Sequence, residues 1–353
     1  MTSKDRVLAA LRFDKPDRIP RFDSYWPEFE AQCRESMNLS PTASLYDHFH
    51  IDMTVAVPDE SPWPSRKEVL ETKPDGSIIQ RNSYGMTVRT KPEGYFEEEL
   101  GGIINEPCDL NEYPFDMPEA DTRFAGFVPW VEQENKKGRC VFGKIGGPFI
   151  RSTFIRGKTE YLLDLAADEE FAKDLAQRVG RHLLGIALEE LKRSEVKETG
   201  IWIFDDMAYN HAPLFSPGVF ERVFLPIYRN LISTLHAAGC PNVYFHSDGN
   251  IELMLDMLVD AGIAGINPVE PRSGMSMTAL RKRYPRLALI GGMCNSVVLV
   301  NGSQKEIERQ AAEIIDLAQD GGVIIGAHSI GPDIPLHNYL AYVNYLEAHG
   351  EFK

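Results

Sequence analysis

Nine residues, Asn242-Val-Tyr-Phe-His-Ser-Asp-Gly-Asn250, contain the pattern that decides the fold. Val-Tyr-Phe at 243–245 follows the break Gly-Cys-Pro at 239–241, and a short run of β-branched and aromatic residues predicts a buried strand. His246 and Asp248 come at the end of that strand. Side chains two residues apart in a strand project from the same face. This imidazole and this carboxylate are therefore predicted to share the space where the strand opens into a loop.

The same alternation of strand and helix extends along most of the chain. Two early strands are predicted at residues 19–25 and 53–57. Six short apolar runs, each followed by a predicted helix of ten or more residues, predict further strands at 140–145, 201–204, 243–246, 265–267, 287–291 and 323–326. Strand followed by helix, repeated, is typical of a parallel sheet, and eight such strands close a (β/α)8 barrel. A doubly wound open sheet is the alternative, although the sequence contains no Gly-x-Gly-x-x-Gly fingerprint.

The pattern changes between the second and third predicted strands. Alternating stretches over residues 68–90 flank Asp75-Gly76, a turn signal that predicts an antiparallel hairpin. An acidic, Pro-rich segment at 107–129 then predicts loop and short helix. The sequence thus predicts an α/β protein, a single (β/α)8 TIM barrel over residues 1–353, with an antiparallel hairpin insertion after the second strand at about residues 60–137.

Composition excludes several classes of protein. The chain of 353 residues is 43% hydrophobic and 25% charged, as in ordinary globular proteins, and its net charge of -15 argues against nucleic-acid binding. No apolar run approaches the ~20 residues of a membrane span, and the N-terminus lacks the apolar region of a signal peptide, so a cytoplasmic protein without a membrane partner is expected. Its five scattered cysteines, without a Cys-x-x-Cys pair, indicate neither a disulfide framework nor a zinc ribbon.

Titratable side chains occur at nearly every predicted strand end. They are Asp52 at the second strand, Asp205 and Asp206 after the fourth, His246 and Asp248 at the fifth, Glu270 after the sixth, Cys294 after the seventh and His328 at the eighth. Each residue alone has an ordinary explanation, since Asp after a strand is commonly a helix N-cap and Cys is commonly a small core residue. A set that spans the whole rim is harder to explain in this way.

Three of these residues predict a metal site. His246, Asp248 and His328 form a set of two histidines and one carboxylate, and Cys294 would add a soft fourth ligand that favours zinc. Hydrogen-bonded polar residues at a barrel mouth are the alternative explanation. Tyr25, Tyr209 and Glu270, at or near the strand ends, are predicted to contact a small-molecule substrate.

Six stretches of the chain resemble the uroporphyrinogen decarboxylase superfamily. They begin with Arg6-Val-Leu-Ala-Ala-Leu-Arg-Phe-Asp-Lys-Pro-Asp-Arg-Ile-Pro20 and continue with Gly146-Gly-Pro-Phe149, Phe204-Asp-Asp206, Phe245-His-Ser-Asp-Gly-Asn250, Asn267-Pro-Val-Glu-Pro271 and Gly326-Ala-His-Ser-Ile-Gly-Pro-Asp333. The resemblance covers essentially the whole chain. It implies a single (β/α)8 barrel, often a homodimer, that is either a decarboxylase of haem biosynthesis or a corrinoid-dependent methyltransferase.

The decarboxylase branch matches this sequence only in part. Asp52 matches the aspartate that faces the pyrrole nitrogens in that branch, and His328 falls where its Gly-His-Gly histidine would be. Phe22-Asp-Ser-Tyr-Trp-Pro27, however, replaces an arginine-bearing stretch, Phe154 stands where a tyrosine is expected and Asp206 replaces a serine. A porphyrinogen with eight carboxylates needs guanidinium groups. The resemblance therefore argues against true uroporphyrinogen decarboxylation.

The methyltransferase branch fits the stretch at 242–250 better. Its members hold zinc with a His-x-Cys pair on this strand and a further Cys at the last strand, similar in place to His246, Asp248 and His328. Both cysteines are exchanged here. A harder ligand set is less suited to activating a thiol and suggests another donor or acceptor, such as an oxygen-bound methyl group.

The predicted function is accordingly metal-assisted methyl transfer. A metal held by the two histidines and Asp248 polarises a small substrate, Asp52, Asp205 or Asp206 handles a proton, and a methyl group passes to or from a corrinoid. The chain has no Asp-x-His-x-x-Gly motif, so the corrinoid is expected on a partner protein.

Two alternatives come from other classes of function. The first is a metal-independent decarboxylase of a porphyrinogen or smaller acid, in which Asp52 and His328 are the catalytic pair. The second is a non-catalytic binding barrel. Mutually repelling carboxylates around the rim make an inert barrel the weaker of the two alternatives.

Overall fold

A computed structural model describes residues 1–91 and 97–352, so residues 92–96, within the predicted insertion, and residue 353 lie outside the described residues. The strands are β1 Arg21–Tyr25, β2 Met53–Ala56, β3 Glu68–Thr72, β4 Ile78–Arg81, β5 Met86–Thr90, β6 Glu98–Gly102, β7 Cys140–Gly146, β8 Ile201–Phe204, β9 Ala208–Tyr209, β10 Ala212–Pro213, β11 Val243–His246, β12 Gly265–Val269, β13 Ala288–Gly292 and β14 Val323–Ile330.

Helices follow most of the central strands. They are α1 Ser3–Leu11, α2 Pro27–Ser36, α3 Leu45–His48, α4 Asp109–Glu112, α5 Phe127–Lys136, α6 Pro148–Arg156, α7 Lys158–Ala167, α8 Glu169–Arg193, α9 Pro217–Val219, α10 Leu225–Ala237, α11 Glu252–Ala261, α12 Met277–Arg283, α13 Val298–Asn301, α14 Gln304–Leu317 and α15 Leu336–His349. Single 3-10 turns lie at Pro64–Arg66, Asp121–Phe124 and Pro271–Ser273, and a π-helical turn at Phe220–Phe224 precedes α10.

Eight parallel strands form the central sheet, and the predicted (β/α)8 barrel is confirmed. Their order is β1-β14-β13-β12-β11-β8-β7-β2, with β1 and β2 at the two ends. All eight predicted strands are present, and β8 and β11 have the predicted bounds. Because the strands are parallel, their carboxyl ends lie at one end of the barrel, which we call the mouth.

Large side chains fill the barrel below the mouth. The interior cluster consists of Phe22, Met53, Cys140, Phe142, Trp202, Tyr244, Ala288, Ile290 and Ile324. The Trp202 ring lies 5.4 Å from the Phe22 ring and 5.8 Å from the Tyr244 ring, centre to centre. This aromatic layer makes the barrel a packed core rather than a pore, so the polar side chains above it line a shallow bowl.

Asp52 closes the barrel between β1 and β2. Its backbone N–H donates to the carbonyl of Arg21 at 3.0 Å, and its Oδ2 accepts the backbone N–H of Arg21 at 2.9 Å. The carboxylate is fully buried, and it also accepts hydrogen bonds from Arg6 at 2.7 Å, Arg18 at 2.8 Å and Ser3 at 2.8 Å. Three cationic or hydroxyl donors thus compensate the buried negative charge.

This position of Asp52 corrects a prediction. Asp52 precedes β2, whose first residue, Met53, pairs with Cys140 at the start of β7. The mouth lies at the other end of β7, where Gly146 pairs with Phe204. Six residues of strand separate the two ends, about 20 Å at ~3.3 Å per residue. The predicted position of Asp52 at the mouth was therefore wrong, and its catalytic role stays a prediction.

The antiparallel insertion after the second barrel strand is confirmed, and it is larger than one hairpin. β3, β4, β5 and β6 form a four-stranded antiparallel sheet. The predicted turn at Asp75-Gly76 joins β3 to β4. There Oδ1 of Asp75 accepts the backbone N–H of Ser77 at 2.9 Å and its hydroxyl at 2.7 Å, and Gly76 has a φ of 80° that favours glycine.

Two further expectations concern cysteines and membranes. All five cysteines are free, in agreement with the absence of a disulfide framework. Among the described residues, no helix has the length and apolar character needed to cross a bilayer.

We expect Asp52→Asn to destabilise the protein by about 3 kcal/mol, because removing one partner of a buried ion pair leaves the other charges uncompensated. Chemical denaturation followed by circular dichroism measures the change. The matched control is Asp121→Asn, which removes a carboxylate that pairs with Arg193 but is 92% exposed and should leave the unfolding midpoint nearly unchanged. Equal effects of the two substitutions would contradict the assignment of Asp52 to barrel closure.

Glu190 is a second buried acid, on the face of α8 that packs against β7. It is fully buried, and neither carboxylate oxygen has a hydrogen-bond partner. Gly143 of β7 leaves the space that this carboxylate occupies. Burial, together with the charge of Glu60, raises the pKa of Glu190 well above its ordinary value. The folded state therefore holds the Glu190 proton more tightly than the unfolded chain does.

Glu190→Gln should stabilise the protein at neutral pH. A group whose pKa rises on folding loses stability as the pH increases above its unfolded pKa, so the gain from glutamine should disappear in acid. The neighbouring Glu189 provides the control. Partial burial raises the pKa of Glu189, but hydrogen bonds from Arg193 and Lys192 outweigh this effect and lower the pKa overall. Glu189→Gln should therefore destabilise the protein at neutral pH. Denaturation midpoints measured at several pH values test this prediction. A lower midpoint for Glu190→Gln than for the wild-type protein at pH 7 would contradict it.

Candidate metal centre

Two strands and one loop bring His246, Asp248 and His328 together at the mouth. His246 is the last residue of β11, Asp248 follows two residues later, and His328 lies in β14. One ligand atom from each residue lies within 4.8 Å of the other two. Oδ1 of Asp248 is 3.6 Å from Nε2 of His246 and 3.7 Å from Nε2 of His328. The structure places these three residues together, and their role as metal ligands stays a prediction.

Asn267 determines which nitrogen of His246 faces this cluster. The side-chain amide of Asn267 donates to the carbonyl of Ile290 at 3.2 Å, so its Oδ1 is the atom that lies 2.7 Å from Nδ1 of His246. Nδ1 therefore carries the proton and donates it to Asn267. Burial and the neighbouring His328 hold the pKa of His246 well below its ordinary value. The imidazole is neutral, with the lone pair of Nε2 directed at the cluster.

His328 is positioned by an unusual backbone conformation. Its φ is 65°, in the left-handed region, which costs a residue other than glycine about 1–3 kcal/mol. Pairing with β1 maintains that conformation, since Asp23 is the register partner of His328 and Ser24 Oγ donates to its carbonyl at 2.8 Å. Local strain of this kind is concentrated at functional sites.

Asp248 has an oxygen without a partner. Half of its side chain is exposed, yet Oδ1 is buried and accepts no hydrogen bond. Burial, followed by the charges of Asp206 and Glu270, raises the pKa of Asp248 to about 7. A cation beside Oδ1 would remove both penalties, because it would satisfy the oxygen and offset the repulsion among the carboxylates.

The three donors fit a divalent metal. Tetrahedral ligands at zinc bond lengths of about 2.1 Å lie about 3.4 Å apart. The separations of 3.6 Å and 3.7 Å are close to that value. Two neutral imidazoles and one carboxylate are a donor set that zinc accepts, with the fourth position open, as in catalytic sites. The hydrogen bond from His246 to Asn267 is the outer-shell contact that such a site requires.

The predicted fourth ligand, Cys294, does not join the cluster. β13 ends at Gly292, and Cys294 lies in the turn that follows. Its backbone N–H donates to Gln310 at 3.2 Å, and its thiol faces Ser296, with 3.9 Å between Sγ and Oγ. The prediction of Cys294 as a ligand was therefore wrong for this arrangement, since the loop directs the thiol to another side chain.

The two neighbouring aspartates after β8 have different environments. The carboxylate of Asp205 accepts the backbone N–H groups of Phe149 at 3.1 Å and Ile150 at 2.6 Å, and the Tyr228 hydroxyl. It is fully buried, and burial raises its pKa to about 7. Asp205 thus holds the first turn of α6 among the outer helices. These contacts lie outside the cluster of His246, Asp248 and His328, and the catalytic role of Asp205 stays a prediction.

Asp206 and Glu270 do lie at the mouth. Oδ1 of Asp206 accepts the backbone N–H of Asp248 at 3.0 Å and is 3.7 Å from Nε2 of His246. Oε2 of Glu270 accepts the backbone N–H of Gly249 at 2.7 Å. The two carboxylates therefore hold the loop that carries Asp248. Their predicted roles, proton transfer for Asp206 and substrate binding for Glu270, stay predictions.

The two predicted tyrosine contacts differ. The hydroxyl of Tyr25 lies 2.7 Å from that of Tyr339, and its ring stacks 6.1 Å from Phe29 in the helix layer. These contacts hold Tyr25 among the outer helices, and its role as a substrate contact stays a prediction. Tyr209 is 51% exposed, and its carbonyl accepts the N–H of Asn250 at 3.0 Å, so the β9–β10 ribbon lies against the loop after β11. Its role in substrate binding stays a prediction.

Sequence reasoning did not identify three residues that surround His246. They are Asn267, Phe204 and Lys144. The Phe204 ring stacks on the His246 imidazole, with 3.9 Å between centres and 14° between planes. The ammonium of Lys144 lies 3.9 Å from the centre of the same ring. A lysine within the apolar run of β7 was the available signal, because it follows Cys140 and Phe142 in the inward alternation.

One family model and one solved structure agree with this architecture. The model of the uroporphyrinogen decarboxylase (URO-D) family matches residues 99–349. The chain is similar in fold to a methyltransferase from Methanosarcina mazei, with a TM-score of 0.71, 15% identity and 99% of each chain covered. Bee venom hyaluronidase, solved with a hyaluronic acid tetramer, has a TM-score of 0.38 and 13% identity over 93% of this chain and 96% of its own. No curated protein matches the chain.

The tautomer of His246 can be measured directly. In metal-free protein labelled with 15N-histidine, we expect Nδ1 of His246 to give the shift of a protonated nitrogen and Nε2 that of an unprotonated one. Asn267→Leu should remove this preference, whereas Asn267→Asp, which keeps an acceptor, should retain it. A protonated Nε2 in the wild-type protein would contradict the assignment.

Proposed function

We propose a metal-assisted methyltransferase, and the premise is a finding: the chain belongs to the uroporphyrinogen decarboxylase family. The methyl group passes between a small substrate at the barrel mouth and a corrinoid carried by a partner protein. Zinc is the proposed metal, and His246, Asp248 and His328 are its ligands. The Methanosarcina mazei methyltransferase supports the same barrel, although identity of 15% supports the fold alone.

The observation that supports the metal most strongly is the environment of Asp248. Its Oδ1 is buried without a hydrogen-bond partner, between two imidazole nitrogens. Nε2 of His246 is an acceptor, because Nδ1 donates to Asn267. An ionised carboxylate oxygen and an imidazole lone pair cannot hydrogen-bond to each other, and these two atoms are 3.6 Å apart, beyond hydrogen-bonding distance. A cation between them satisfies both, whereas a network of hydrogen-bonded polar residues leaves them unsatisfied.

When bound there, zinc supplies a Lewis acid that polarises a substrate heteroatom and stabilises negative charge on it. The protein residues orient this centre. Asn267 fixes the tautomer of His246, and the backbone N–H of Asp248 holds Asp206 through Oδ1. The side chain of Asp206 is 46% exposed, so its other oxygen can exchange a proton with the substrate as a general acid or base.

The donor set also bears on the substrate. Two imidazoles and a carboxylate are harder ligands than thiolates and leave a bound metal more electron-poor. Such a metal is better suited to an oxygen donor than to a thiol. We therefore propose that the methyl group transferred is bound to oxygen in the small substrate. The corrinoid is assigned to a partner because this chain contains no Asp-x-His-x-x-Gly motif.

The alternative decarboxylase loses its catalytic pair in this structure. Asp52 lies at the N-terminal end of the barrel and binds Arg6 and Arg18, whereas His328 lies at the mouth. Two groups at opposite ends of the barrel cannot act on one substrate. No observation favours a decarboxylase that uses Asp52 and His328 together.

Metal analysis tests the proposal. Protein purified in zinc-supplemented medium should contain about one zinc per chain by plasma mass spectrometry, and Asp248→Asn or His246→Ala should lose most of it, since removal of one of three ligands greatly weakens binding. His211→Ala, which removes a histidine outside the cluster, is the control and should retain the metal.

The reaction is tested with methylcobalamin and a panel of small alcohols, phenols and thiols as acceptors. Loss of the cobalt–carbon absorbance should depend on zinc and should be faster with oxygen acceptors. Carbon dioxide release without metal, or zinc that is retained in Asp248→Asn, would contradict the proposal.

A further inference from the structure

Lys144 places a half-buried positive charge at the mouth, and no described residue pairs with it. It belongs to β7, and its position follows Cys140 and Phe142, which face the barrel interior. Among the described residues, the Lys144 side chain forms no ion pair and donates no hydrogen bond. Its recorded contact is with the Phe204 ring, 3.9 Å from the ammonium to the ring centre. A cation–π contact leaves the three ammonium protons without acceptors.

Neighbouring charges show that this arrangement is unusual. Arg151, on the adjacent helix α6, also lies near the mouth, but its guanidinium pairs with Glu60. Glu60 is thereby occupied by Arg151 and by the backbone N–H of Gly146. Charges that lose part of their hydration are normally paired, because the loss is otherwise uncompensated. The half-buried ammonium of Lys144 has no such pair among the described residues, so it is available to bind an anion.

The Phe204 ring connects Lys144 to the candidate metal centre. The His246 imidazole stacks on one face of this ring at 3.9 Å, so the ammonium occupies the other face. The thickness of one aromatic ring separates the two groups. Because the two groups are this close, a small molecule whose anionic group binds Lys144 can also reach the centre formed by His246, Asp248 and His328.

We propose that Lys144 binds the carboxylate of a small monoanionic substrate whose reacting heteroatom lies at the centre formed by His246, Asp248 and His328. The inference rests on the proposed function for the position of the reacting atom, but not for the anion site itself. A single ammonium with Asp206 and Glu60 nearby favours one negative charge over two, since both carboxylates repel a dianion. The substrate class is therefore a small carboxylic acid that carries a methyl ether.

Two probes of the same shape test the anion site. Methoxyacetate and its neutral analogue methoxyacetamide would be titrated into the zinc-loaded full-length protein, with binding followed by ligand-observed NMR in a chloride-free buffer. We expect methoxyacetate to bind about tenfold more tightly, the effect of one charge-assisted hydrogen bond. Lys144→Met should abolish this preference and leave the zinc content unchanged, and Lys144→Arg should retain most of it.

Controls separate the anion site from the metal. Lys136→Met removes a lysine whose side chain is 80% exposed and should not change binding of either probe. Asp248→Asn, prepared without zinc, should keep the preference for methoxyacetate if Lys144 is responsible, and should lose it if the carboxylate binds the metal instead. Equal binding of the two probes by the wild-type protein, or an undiminished preference in Lys144→Met, would overturn the inference. Failure of the metal proposal alone would appear as wild-type protein that takes up no zinc but still prefers methoxyacetate.

Discussion

The buried carboxylate of Asp52 is the interaction on which the barrel depends. It joins β1 to β2 through the backbone of Arg21, and Arg6 and Arg18 compensate its charge. Closure matters for the site because β1 and β14 must lie side by side for His328 to be held by Ser24. A barrel that opened at this seam would release β1 and with it the backbone conformation that directs His328 towards the mouth.

The chemistry of the mouth follows from charges that are incompletely balanced. Burial, followed by the charges of Asp206 and Glu270, raises the pKa of Asp248, while burial lowers the pKa of both His246 and His328. On the opposite side of the Phe204 ring, Lys144 forms no ion pair with a described residue. A metal cation would balance the carboxylates on one side of the ring, and a substrate anion would balance Lys144 on the other. The proposed substrate contacts both the metal and Lys144.

The sequence predicted the strands well because apolar runs and their two-residue alternation are local properties. The same alternation correctly brought His246 and Asp248 into one space. Position relative to a strand was harder to assign: Asp52 precedes β2, His328 lies within β14, and the other rim residues follow or end their strands. Asp205 and Asp206 are adjacent, yet one faces α6 and the other the mouth. Such differences depend on the path of the loop after the strand, which periodicity does not specify. The turn that directs Cys294 away from the cluster could not be predicted for the same reason.

Anomalous diffraction at the zinc absorption edge tests the central claim most directly, because it locates the metal and identifies it in the same crystal. The account predicts one strong peak per chain, about 2.0–2.2 Å from Nε2 of His246, Nε2 of His328 and Oδ1 of Asp248. A crystal grown with zinc that shows no peak between these three atoms, or a peak only at surface carboxylates, would contradict it.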